Sequence, residues 1–258
     1  MMWLAALALA LPAAAGGDTP CAAALLAACP AGGGQESRGI LACDVCAGKH
    51  QSALLSAQCS SAQVQRWCSA AAGAPKVLVV YHSETGHTRT LAEAIAKGCE
   101  SEGAGAVRVK SCANATYSDD VLWADAVVVG SPVHYGNPSA GILAWFEKEW
   151  EHGFTDPKLS GKVGSAFATG GGVNQGLGHV VTGLQRVLES FRIQYVAPDP
   201  SRNGYHSYGA VAITGTPPYF NQTAPQIAQE FVETAADLGA KVTKAAALQL
   251  RRQQHEEL

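Results

Sequence analysis

From Lys76 onward, short continuous apolar runs alternate with longer stretches of helical spacing. Val77-Leu78-Val79-Val80 has the unbroken apolar character of a strand buried on both faces. Thr88 to Glu102 follows with Leu91, Ala94, Ile95 and Gly98 on one side of a helix. Further strands are predicted at 106–110, 126–130, 163–168 and 210–213, and further helices at 139–150, 177–191 and 224–250. Strands alternating with helices of this length predict an α/β fold, a doubly wound parallel sheet of five strands. Ligands of such sheets bind outside the carboxyl ends of the strands. The loops after strands one, three and four are therefore where chemistry is expected.

The chain before Lys76 has a different texture. An apolar run from Met1 to Ala15 ends in small residues, which fits a secretory signal peptide over residues 1–17, although its start carries no Lys or Arg. Six of the eight cysteines, Cys21, Cys29, Cys43, Cys46, Cys59 and Cys68, fall in the next segment. That density predicts a small helical module (18–68) stapled by disulfides, because so short a segment buries too little to hold itself together. The spacing leaves the pairing open. Cys43-Asp44-Val45-Cys46 also has the spacing of a redox pair, but its flanks lack the strand and helix start that lower a thiol pKa. A zinc site would need a second close pair, and no metal is expected. The small residues of 69–75 read as a linker, placing the main domain at 76–250 and a tail at 251–258.

The tail ends His255-Glu256-Glu257-Leu258, similar to the retrieval tetrapeptide of endoplasmic reticulum residents. Two glycosylation sequons, Asn114-Ala115-Thr116 and Asn221-Gln222-Thr223, are compatible with that lumen. The expected location is the secretory pathway and the endoplasmic reticulum lumen, with secretion or plastid targeting as alternatives.

The chain has 258 residues, 47% apolar and 15% charged, with a formal net charge of -3. No excess of Lys and Arg is available to neutralise a phosphate backbone, so nucleic-acid binding is excluded as the main task. No apolar run reaches the length of a membrane span.

Strand one runs into His82-Ser83-Glu84-Thr85-Gly86-His87-Thr88 and then directly into a helix. Hydroxyls from Ser83, Thr85 and Thr88 and the amides of a helix start are donors for a phosphate. Gly86 lets the turn wrap closely. There is no Walker lysine and no G-x-G-x-x-G, so the loop suits a monophosphate held by neutral dipoles. The bland alternative is a helix N-cap with no ligand. After strand three, Ser131-Pro132-Val133-His134-Tyr135-Gly136-Asn137 predicts a tight, rigid loop with exposed amides and projecting His134 and Tyr135, Tyr135 suiting a planar ring. After strand four, Thr169-Gly170-Gly171-Gly172-Val173 lets main chain approach a ligand with no Cβ in the way.

The first of these loops resembles the FMN phosphate loop of flavodoxin-like proteins, over about Lys76 to Gln249. The second resembles the Gly-Thr/Ser-Pro…Gly-Asn loop of WrbA-type NAD(P)H:quinone oxidoreductases, and Thr214-Gly215-Thr216-Pro217-Pro218-Tyr219 resembles a segment of the same group. The resemblance implies a sheet order of 2-1-3-4-5 with FMN at the switch point. It implies that residues 83–88 hold the phosphate, that Ser131 to Asn137 contact the ring, and that amides of Thr169 to Val173 face its pyrimidine edge. It departs from the group near Leu188 to Arg192, where the quinone reductases carry a His; His179 lies nearby in sequence. The implied activity is transfer of two electrons from NAD(P)H, the co-substrate, to a quinone or similar acceptor. His134, Tyr135 and His179 are the candidates to give a proton or position that acceptor. The group is commonly tetrameric, which makes a homo-oligomer the expectation. A one-electron carrier is the runner-up, though residues 76–258 hold 18 acidic and 15 basic side chains, too balanced for typical carrier steering. A third reading is a non-catalytic flavin-binding protein whose Cys-rich module does the work.

Overall fold

A computed structural model describes residues 20–28, 48–61, 63–64, 74–151, 153–172, 174–199, 208–215 and 226–256. The chain divides into two compact units, Met1–Trp67 and Cys68–Leu258. In the smaller unit, helices α1 (Pro20–Ala28) and α2 (Gln51–Ser56) are described. Among its described residues Cys21 and Leu54 are buried, with Ala24, Cys59 and Val64 packed against them. A disulfide joins Cys21 to Cys59 across 38 positions, with the Cα atoms 5.0 Å apart. The crosslink stabilises chiefly by restricting the unfolded chain. Cys29, Cys43, Cys46 and Cys68 lie outside the described residues.

The larger unit is the expected α/β domain. In chain order its elements are β1 (Lys76–Tyr81), α3 (His87–Ser101), β2 (Ala106–Ser111), β3 (Ala126–His134), β4 (Asn137–Pro138), α4 (Ala140–Glu149), β5 (Val163–Gly170), α5 (Leu177–Ser190), β6 (Gln194–Tyr195), β7 (Ala210–Ile213) and α6 (Gln229–Glu256). The sheet runs β2-β1-β3-β5, all parallel. Right-handed crossovers place α3 on one face and α4 and α5 on the other. Val77 to Val80, Ala126 to Val129 and all of β5 are buried, as their unbroken apolar or small-residue runs require.

Three features refine or depart from the sequence reading. The fifth sheet position is filled by two short pieces: β6 pairs with Val163 and Gly164, and β7 with Phe167 to Gly170. Between them Pro198 and Pro200 lack the N–H a continuous strand would need. The tight loop read after strand three takes the form of a β-hairpin, with Val133 opposite Pro138 and His134 opposite Asn137. The last helix runs past residue 250 to Glu256, since 251–256 contain no helix breaker.

Helix α6 lies against α3 with backbone touching backbone. A Cβ on Gly98 would stand 1.8 Å from the Ala236 carbonyl oxygen, and one on Gly239 would stand 2.0 Å from that of Ile95. At the sheet edge, the fully buried Asp120 carboxylate accepts from Lys110 Nζ at 2.8 Å, Arg108 Nη1 at 3.0 Å and the Thr116 N–H at 3.0 Å. The Arg108 guanidinium also stacks 3.8 Å from the Trp123 ring centroid. Burial pushes the Asp120 carboxyl up, but Lys110, Thr116 and Arg108 together outweigh it and hold it below the usual carboxylate range.

Asp120 is therefore ionised in the fold at pH values where the unfolded side chain takes a proton. Its stabilisation is complete above about pH 4 and fades as pH falls through the lower folded value. Asp120→Asn should cost roughly 1–3 kcal/mol at neutral pH, and the gap between variant and parent should shrink below about pH 4 in denaturant titrations. Gly98→Ala should lower the melting temperature through a loss of about 1–3 kcal/mol, because neither helix backbone can yield.

Candidate functional site

The carboxyl ends of β1, β3 and β5 bring three loops together. The first follows β1, whose register with β3 continues as the His82 N–H donates to the Gly130 carbonyl at 3.1 Å. The helix α3 begins on Gly86, which stands at φ 94°, a left-handed conformation that favours glycine. Glycine offers no side-chain cap, so the first-turn amides of α3 keep no side-chain partner. These amides and the positive end of the helix dipole make an anion-binding end.

The hydroxyls around that end are arranged differently from one another. Ser83 Oγ accepts from the Gly86 N–H at 3.1 Å, which closes the loop and leaves the Ser83 proton free to donate. Thr85 is exposed, its Oγ1 2.9 Å from His87 Nδ1. The other ring nitrogen of His87 is buried with no partner, and burial holds that imidazole below its ordinary pKa. Thr88 is buried and lies 2.8 Å, hydroxyl to hydroxyl, from Thr169 at the end of β5. That bond ties the first loop to the third. Glu84 is exposed at the loop surface.

The second loop is the hairpin. Tyr135 (φ 51°) and Gly136 (φ 80°) form its two-residue turn, both left-handed as a type I′ turn requires. At its base Ser131 is fully buried: its Oγ accepts from the Ser139 N–H at 2.8 Å and lies 2.8 Å from the Pro132 carbonyl. Ser131 thus anchors the hairpin to α4. Pro132 and Val133 carry the strand outward, and Asn137 Nδ2 donates to the Tyr135 carbonyl at 3.1 Å. Tyr135 is wholly exposed at the tip. His134 Nε2 stands 3.8 Å from Glu84 Oε1 of the first loop. Its ring meets that of His82 edge-on at 6.2 Å.

The third loop leaves β5 through Thr169-Gly170-Gly171-Gly172; Val173 lies outside the described residues. Gly170 accepts from the Thr214 N–H at 2.8 Å, drawing in the segment after β7. A Cβ on Gly215 would stand 2.8 Å from Gly171 Cα. Gly176, at φ 100°, starts α5 as Gly86 starts α3, again with no side-chain cap. A Cβ there would stand 2.6 Å from Gly136 Cα. The structure thus joins hairpin tip and third loop by bare backbone. His179 stands exposed in the first turn of α5.

Two contributors fall outside the residues the sequence singled out. His82 packs its ring against Gly141 of α4, where a Cβ would lie 2.8 Å from Cδ2, and its Nδ1 is buried without a partner. Gly176 is the other. A glycine directly before an apolar helix is a readable signal for an uncapped start, and it repeats the arrangement at Gly86.

The residues fit FMN. Uncapped amides, the free Ser83 proton, Thr85 and an orphaned buried nitrogen on His87 are donors suited to a phosphate monoester, and glycine backbone lies beside them. The flavodoxin family matches residues 79–192. An NAD(P)H dehydrogenase (quinone) of Geotalea daltonii is 32% identical over 177 residues, which cover 55% of this chain and 84% of that protein. The chain belongs to the flavodoxin-like family. Aquifex aeolicus flavodoxin is 39% identical over 103 residues, 38% of this chain and 51% of its own length. This flavodoxin-like chain therefore spans about half of that relative. The solved WrbA-like flavodoxin of Agrobacterium tumefaciens shares the fold, with a TM-score of 0.52 and 24% identity over 67% of this chain and 97% of that one. Membership implies flavin binding.

Gly176→Ala in this flavodoxin-like domain should force the hairpin away from α5, since the new methyl meets Gly136 backbone at a left-handed position. The expected result is a lower melting temperature and at least tenfold weaker FMN binding by fluorescence titration. An unchanged affinity would show that the hairpin does not line the cofactor site.

Proposed function

We propose that the chain is an FMN-dependent oxidoreductase that takes two electrons from NAD(P)H and passes them to a quinone or similar acceptor. The observation that carries this reading is the junction of an uncharged anion end at α3 with a wall of side-chain-free backbone at Gly170 to Gly172. The name NAD(P)H dehydrogenase (quinone) on relatives such as that of Geotalea daltonii supports it. The near balance of acidic and basic side chains in residues 76–258 speaks against a carrier steered by an acidic surface.

When bound, the flavin supplies a ring that accepts and gives up hydride, and the protein supplies orientation and electrostatics. The α3 amides, Ser83 and Thr85 hold the phosphate and fix the cofactor's position along the strand ends. Thr88 locks the first loop to Thr169, so both loops keep one spacing. Amides of the Thr169 to Gly172 segment would face the ring's pyrimidine edge, where preset donors favour the two-electron state. His134 holds or passes a proton beside Glu84, and Tyr135 at the turn presents its ring to an incoming planar substrate. His179 sits on the exposed face of α5, suited to the outer part of the acceptor.

The purified protein should be yellow, or become so with FMN, and should oxidise NADPH with a benzoquinone. Bound FMN with no turnover would favour the carrier, and protein that refuses micromolar FMN would overturn the whole reading. Thr85→Ala should weaken FMN binding by about 1 kcal/mol or more, because one hydrogen bond to a charged phosphate is lost.

A further inference from the structure

We propose that Asn114 carries an N-linked oligosaccharide. The residues Asn114-Ala115-Thr116 form an acceptor sequon on the loop that leaves β2. The backbone there is pinned. The N–H groups of Asn114 and Ala115 both donate to the Ser111 carbonyl, at 2.9 and 3.1 Å, and the Ala115 carbonyl accepts from Trp145 Nε1 at 2.7 Å. Ala115 is buried, whereas Asn114 is exposed, and among the described residues no hydrogen bond holds the Asn114 side-chain amide. A sugar on Nδ2 therefore enters solvent without displacing a packed group.

The cysteines give an independent reason to place the chain where this modification occurs. Cys21 and Cys59 are joined, the state an oxidising compartment maintains. Among the described residues, the unpaired cysteines are Cys99 and Cys112, both buried. Burial pushes the Cys99 thiol up to about 11, so it stays protonated and does not attack disulfides. The Cys21–Cys59 crosslink, with shielded thiols at Cys99 and Cys112, suits folding in the lumen where the glycan is added.

In the transfer, Asn114 Nδ2 forms a bond to the anomeric carbon of an oligosaccharide carried on a lipid pyrophosphate. The bond from that carbon to the pyrophosphate oxygen breaks, the amide gives up one proton, and the lipid pyrophosphate leaves. In the folded chain Thr116 Oγ1 accepts from the Asp119 N–H at 3.2 Å. The hydroxyl the sequon needs is engaged there, so transfer precedes closure of this turn. The product has a physical consequence. β2 is the edge strand of the sheet, with Val109 partly exposed, and a glycan rooted three residues beyond Ser111 guards that edge against pairing with another chain.

The test expresses the full chain with native ends in a eukaryotic cell and maps its peptides before and after peptide N-glycosidase. Most copies should carry glycan at Asn114, and enzymatic release should convert that residue to Asp. Asn221→Gln and Thr116→Ser should retain the modification at Asn114, and Asn114→Gln should abolish it. Wild-type chain with unmodified Asn114, wherever in the cell it is recovered, overturns the proposal, as does modification confined to Asn221. Flavin content of the same preparation is read separately, so loss of the FMN reading leaves this one standing.

Discussion

A helix that begins on a left-handed glycine sets the terms for the rest of the domain. Gly86 brings α3 directly off the end of β1 and offers its first amides no side-chain cap. Those amides then need an acceptor from outside the helix, and the buried central strand beneath holds them in place. Ser83 and Thr85 add neutral donors around the same point. Such an end suits an anion without lysine, through dipoles whose direction the fold fixes in advance.

The other loops are held to that point by contacts that leave little freedom. Thr88 reaches Thr169 through a buried hydroxyl pair, and Gly136 meets Gly176 backbone to backbone. Ser131 fastens the hairpin base to Ser139 at the head of α4. Each is a short link between elements that the sheet already places side by side. Together they turn three separate loops into one rim, across which the Glu84 carboxylate stands 3.8 Å from His134 Nε2.

The larger unit is also held at a helix seam and at a sheet edge, by two different devices. Side-chain-free contact at Gly98 and Gly239 lets α6 sit directly on α3, which explains why the long closing helix needs few large residues along that seam. At the β2 edge, a single buried carboxylate is satisfied three times over by Lys110, Arg108 and Thr116. Among the described residues of the smaller unit, the Cys21–Cys59 crosslink ties its helices together.

The period of the apolar residues was enough to read the β1, β3 and β5 strands, the crossover helices and the position of the three loops. These signals are local: a strand buried on both faces must be apolar throughout, and a phosphate loop must place hydroxyls and glycine within one turn. The split of the fifth strand at Pro198, and the hairpin at Tyr135 and Gly136, were also written locally but in weaker terms, since prolines and a Tyr-Gly pair fit several turns. The sequence could name Thr88 and Ser131 as site residues. It could not show that one would bond Thr169 and the other Ser139, because those partners lie 81 and 8 positions away and meet only through sheet register. His82 and Gly176 gained their places in the same manner. Local chemistry determined which residues are able to hold an anion and a flat ring; the packing of parallel strands alone decided which of them face one another.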